Sequence, residues 1–181
     1  QTAIGKLTSL HLAPNVRPSL EVEQLGPAQA QLGQVFRQSR LRQMPGASDL
    51  DSWSGGGLTA TAAAFGRTIR FISKDYAHSR KGVLGIDVGG SNTTLAAGFG
   101  GDLSLTVMPT HGLGEGLAGL LELSSIDDIL RWLPFESDSA SVREYIYTTI
   151  AYPGTIPATA EDLALEYALA TQILQTTLKR A

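Results

Sequence analysis

The chain has 181 residues, enough to bury one real core or at most two small ones, and it is 43% hydrophobic and 17% charged, an ordinary globular composition. Fourteen basic against 17 acidic side chains leave a net charge of −3, which offers no basic footprint for nucleic acid or an anionic membrane. The lack of cysteine excludes disulfides, thiolate metal sites and cysteine nucleophiles and fits a reducing, cytoplasmic setting, and no apolar run is long enough to span a bilayer.

No signal peptide is present, and the chain opens at Gln1 rather than Met, so it reads as an excised piece of something larger. Residues 1–26, with Pro14 and Pro18, read as short extended segments and turns. Pro27 opens a predicted helix to about Gln43, with Ala28, Leu32, Val35 and Phe36 on one face and Arg37, Arg40 and Arg42 toward solvent. Residues 44–57 read as a loop that ends in Ser54 and three glycines. Leu58, Ala62, Phe65, Ile69 and Ile72 then recur at spacings of four and three, a core-facing helical stripe. A polar connector holds His78. Neither it, His11 nor His111 has a partner at ligand spacing, so no metal is assigned to histidine.

Three strands follow, at about 82–88, 93–99 and 103–108, joined by tight glycine turns into an antiparallel meander. Beyond Pro109 the pattern is helical over Leu113–Leu123, Ile126–Leu133 and Val142–Ile150, although Tyr145, Ile146, Tyr147 and Ile150 also suit a strand. Thr159 with Asp162 three residues on is an N-cap signature. The last helix carries Leu163, Tyr167, Ala170, Leu174 and Leu178 on one predicted face and closes with Lys179 and Arg180.

Residues 82–94 carry the chemistry. The apolar run Val83, Leu84, Ile86 ends in Asp87, followed by Gly89 and Gly90 and then Ser91, Asn92, Thr93 and Thr94. Glycines let successive N–H groups point into one concavity that suits a phosphate, and the small polar residues add donors. A carboxylate facing that anion makes sense if a divalent cation or its water lies between them. The same residues also suit a plain hairpin turn.

The order of a small-residue helix (Leu58–Gly66), a short connector and an apolar strand ending in Asp87-Val-Gly-Gly90 resembles the second phosphate-binding hairpin of the actin-like ATPases. That resemblance implies an α+β, ribonuclease-H-like subdomain with the meander flanked by helices. A closer likeness is to the MutL accessory proteins of adenosylcobalamin-dependent glutamate mutase, which are unrelated to the mismatch-repair protein of that name. Asn15-Val-Arg-Pro18, the Pro27-Ala-Gln-Ala30 helix reaching Phe36, the alanine-rich helix and Gly85-Ile-Asp-Val-Gly-Gly90 carry it. So does Pro153-Gly-Thr-Ile-Pro157, leading into Glu161–Leu169 and Leu178-Lys-Arg180.

The resemblance implies an accessory or reactivating factor in which ATP and Mg²⁺ drive closure of two lobes onto a cobalamin-dependent mutase subunit. Residues 1–57 would belong to the preceding lobe and 58–181 to the second, so that the rest of its own chain completes the cleft and the segment alone binds ATP weakly. Asp87 would hold the Mg²⁺ water shell, Gly89, Gly90 and Ser91 would cradle phosphate through backbone N–H groups, and Asn92 and Thr93 would support them. The family pattern has aspartate where Thr94 stands, which removes a second carboxylate. A non-catalytic interaction module and a small-molecule kinase or hydantoinase-like subunit share the same hairpin. No general base is nominated.

Overall fold

Helix α1, Gly26–Gln43, starts one residue before Pro27, where a missing N–H costs nothing. In the computed structural model, residues 10–76 and 81–181 are described, without the side chains of residues 40–42. The predicted solvent positions of Arg40 and Arg42, and His78, therefore lie outside the described residues. The chain forms two units, one ending at Ala60 and the other running Thr61–Ala181.

In the first unit, the segment predicted as loop contains a short helix, α2, Ala47–Trp53. Gly46 enters it at φ 76, a left-handed conformation that glycine adopts without strain. Asp51 on α2 accepts two bonds from the Arg37 Nη2, at 2.6 and 2.8 Å, so Arg37 bridges two helices instead of standing in solvent. Gly55 and Gly56, at φ 62 and 79, are the exit of α2, and the Gly56 N–H donates to the Asp51 carbonyl at 2.7 Å. Leu32 and Phe36, predicted to face inward, are 68% and 52% exposed. The seven-residue α2 offers too little surface to cover both.

The second unit opens with α3, Thr61–Asp75, three residues later than predicted. It leads to the meander of β1 (Val83–Val88), β2 (Asn92–Phe99) and β3 (Asp102–Pro109), antiparallel in the order β1-β2-β3. Directly paired residues share a face. Gly85 pairs with Ala96 and then Leu105, while Asp87 pairs with Thr94 and then Val107. Helix α3 lies on that face. A Cβ on Gly85 would strike Ile69 and Phe65, and one on Gly98 would sit 2.8 Å from Ser73, so glycine lets the helix approach the strands. Phe65 and Ile69 pack on the sheet as predicted, and Gly66 and Ser73 join Ile69 in the buried line of α3, while Ile72, also predicted inward, is 42% exposed.

On the other side α7 (Ala160–Arg180) meets β1 and β2 and packs with α4 (Leu117–Leu121), α5 (Ile126–Leu130) and α6 (Ser139–Ala151). Their core contains Leu117, Leu120, Ile129, Val142, Ile146, Leu169 and Ile173, with Val88 packed against it. Helix α6 resolves the strand-or-helix ambiguity. Asp138 accepts from the N–H groups of Ala140 and Ser141 and so starts a helix before the β-branched run begins. The Thr159–Asp162 capping box forms as predicted. The buried face of α7 differs from the prediction: Leu165, Ala168, Leu169, Gln172, Ile173 and Thr177 turn inward, while Tyr167 is 66% and Leu178 50% exposed. Gln172 is at home there because its Oε1 accepts from the Trp132 indole at 2.9 Å and its Nε2 donates to Ser124 at 2.8 Å. Among the described residues no helix is long and apolar enough to cross a membrane.

Candidate functional site

The turn between β1 and β2 closes through one bond, from the Gly89 N–H to the Asn92 carbonyl at 2.9 Å. Its own carbonyls face away from that bond. The Gly89 carbonyl accepts from the Leu113 N–H at 2.9 Å, and the Gly90 carbonyl accepts from Gly114 at 2.8 Å and Gly116 at 3.1 Å. In a planar trans peptide the C=O and the N–H of the next residue point in opposite directions. Fixing the carbonyls of Gly89 and Gly90 on the 112–116 side therefore aims the N–H groups of Gly90 and Ser91 to the other side. Neither N–H has a partner among the described residues. Gly90 is exposed, and a Cβ there would meet nothing within 4 Å.

The structure places the remaining predicted site residues unevenly around this turn. Asp87 is half-buried near the end of β1, beside Thr94, and its carboxylate has no hydrogen-bond or ion-pair partner among the described residues. Ser91 and Asn92 are exposed. Thr93 is fully buried, and its hydroxyl donates to the His111 carbonyl at 2.7 Å, so it supports the turn from behind and does not face a ligand. The Gly89 N–H is likewise occupied by the turn itself, which leaves Gly90 and Ser91 as the available donors. Thr94 is 1% exposed, packed on the α3 face of the sheet.

Residues 110–116 are the part of the site that periodicity missed. The predicted helix from Leu113 begins only at Leu117, because the segment before it is backbone laid against the turn. A Cβ on Gly112 would lie 2.5 Å from the Gly90 carbonyl oxygen and 2.6 Å from that of Gly89. One on Gly114 would lie 3.1 Å from the Pro153 Cβ. The signal in the sequence is glycine at every second position, 112, 114 and 116, which a helix does not favour and a close backbone approach requires. Thr110 turns the corner at φ 62, a strained value for a β-branched residue. The Ser91 hydroxyl reaches Glu115 at 3.4 Å.

A second concavity, an open groove of about 810 Å³ between α6 and α7, is lined by Glu136, Asp138, Glu144, Tyr145 and Asp162 among others. Its Asp138 and Asp162 carboxylates are engaged as helix caps, and their chemistry is accounted for by the fold.

A family model described as MutL protein matches residues 3–181, nearly the whole chain and the hairpin with it. The chain belongs to the MutL protein family. Neither a curated protein nor a solved structure shows a significant match to it. Family membership over this span agrees with the placement of the motifs from Asn15 to Arg180, and it makes the chain a relative of the glutamate mutase accessory proteins. Within the MutL chain, the turn at Gly89–Asn92 and the 110–116 segment bring together close-packed backbone and two N–H donors without a partner among the described residues, with Asp87 two residues before the turn on β1.

Proposed function

We propose that this MutL chain supplies a phosphate-binding hairpin to an actin-like ATPase that acts as an accessory or reactivating factor for an adenosylcobalamin-dependent mutase. The observation that carries the reading is the pair of N–H groups on Gly90 and Ser91, without a partner among the described residues and fixed in direction by the held carbonyls of Gly89 and Gly90. Donors held in place before the ligand arrives bind a phosphate without first paying to order the loop. Asp87 fits the other requirement: an unpaired, half-buried carboxylate two residues from the glycines. Among the described residues no cluster of three or more His, Asp or Glu side chains could hold a metal directly. A role through the water shell of Mg²⁺ therefore suits Asp87 better than direct coordination. Bound Mg²⁺ would offset the phosphate charge. The burial of Thr94 where the family pattern has aspartate favours a site that binds nucleotide more readily than it turns it over.

The test uses the intact protein. Asp87→Asn keeps size and hydrogen bonding but removes the charge that balances the cation. Nucleotide turnover should fall by about two to four orders of magnitude while thermal stability holds, because the carboxylate has no partner among the described residues. Mutase reactivation, measured with damaged cofactor present, should fall in step. Normal turnover by Asp87→Asn would reduce the hairpin to a turn.

A further inference from the structure

We infer that residues 110–116 are a positioning element for the phosphate hairpin, with Gly112, Gly114 and Gly116 setting the direction of the Gly90 and Ser91 N–H groups. The inference rests on the phosphate reading above and deepens it.

Three N–H donors converge on two carbonyls: Leu113 on Gly89, and Gly114 and Gly116 on Gly90. A two-residue turn of Gly90 and Ser91 would otherwise be free to rotate its peptide planes, since glycine populates many φ/ψ regions. Holding the carbonyls removes that freedom on one side and leaves the donors ready on the other. The contact is backbone on backbone. Side chains at Gly112 or Gly116 would overlap the turn or the loop itself: Gly112 with the carbonyls of Gly89 and Gly90, Gly116 with Gly112 and the Ser91 carbonyl.

The element is braced at both ends. Thr110 is held at φ 62, and its carbonyl lies against Gly119 of α4, where a Cβ would not fit. A strained β-branched corner persists only where its surroundings over-determine it. His111 is 6% exposed, and its carbonyl accepts from Thr93 on β2. Its Nδ1 lies 3.0 Å from the Pro109 carbonyl, which can only accept, so Nδ1 carries the proton and the buried Nε2 has no partner among the described residues. At the far end, Leu117 and Leu120 anchor α4 in the helical core with no exposure at all.

Gly114 is the position to test, because its crowding is mild. A methyl there would sit 3.1 Å from the Pro153 Cβ and 3.3 Å from the Gly90 carbonyl oxygen. With Pro153 in place the methyl can yield only toward the hairpin; with Pro153→Gly it can yield the other way. ATP and adenosine are titrated calorimetrically into the intact protein as wild type, Gly114→Ala, Pro153→Gly and the double variant. The amide resonances of Gly90 and Ser91 are followed without ligand.

Gly114→Ala should weaken ATP about tenfold or more, the scale of one misdirected charge-assisted hydrogen bond, and leave adenosine within about twofold. The two amide resonances should shift in the free variant, and the double variant should recover most of the ATP affinity. Three results overturn the inference. If wild type binds ATP no tighter than adenosine, the phosphate reading itself falls. If wild type shows phosphate-dependent affinity that Gly114→Ala leaves unchanged, only the positioning role falls. Equal loss of ATP and adenosine affinity would mark a general packing defect and would also reject it.

Discussion

Gly90→Val separates binding from folding at a single atom position. A Cβ on Gly90 meets nothing within 4 Å, and its φ is not in the left-handed region, so a side chain fits the folded turn. The 112–116 side of the turn is filled by backbone, so the open space at Gly90 lies away from that segment, as the free N–H groups do. Valine there blocks the approach of phosphate to two donors. Each hydrogen bond to a charged group is worth about 1.5–3 kcal/mol, so losing both costs about 3–6 kcal/mol, or about two to four orders of magnitude in ATP affinity. Stability should change little, by about 0.5 kcal/mol in either direction, as for other exposed sites. Calorimetric titration of ATP and adenosine with thermal unfolding of the same samples decides the matter. A folded Gly90→Val protein that binds ATP as wild type does would show that phosphate does not use these donors.

Two further predictions concern the scaffold. Gln172→Leu strands the Trp132 indole N–H and leaves the Ser124 hydroxyl only its 3.5 Å contact with the Thr176 hydroxyl, while Arg131 keeps its 2.6 Å bond to Gln175. The loss should be about 1–3 kcal/mol, and an unchanged or raised denaturant midpoint would contradict the network. The carboxyl of Asp138 is held below its usual range, first by the Ser141 N–H, then by the Ser141 hydroxyl and the Ala140 N–H. A depressed folded value means that its stabilisation is complete above the unfolded value of 3.8 and is lost as pH falls through the folded one. Asp138→Asn should therefore flatten the fall of melting temperature with pH below about 4, and a slope equal to wild type would argue against the cap.

Much of the fold was legible because it is set by local pattern. Alternation and tight-turn glycines place the meander, Thr159 and Asp162 write the start of α7, and Asp87 with Gly89 and Gly90 marks the strand end before any neighbour is known. What sequence could not rank was the choice between faces. Helix α7 is apolar on more than one side, and the buried side is fixed by Gln172 finding Trp132 and Ser124, 40 and 48 residues away. Glycines 112, 114 and 116 were visible, yet their purpose was not, because it lies in a backbone approach to Gly89 and Gly90 across more than 20 residues of chain. A motif names the residues that suit a phosphate. Only tertiary packing decided that the donors are the N–H groups of Gly90 and Ser91, since a peptide plane takes its direction from whatever holds its carbonyl.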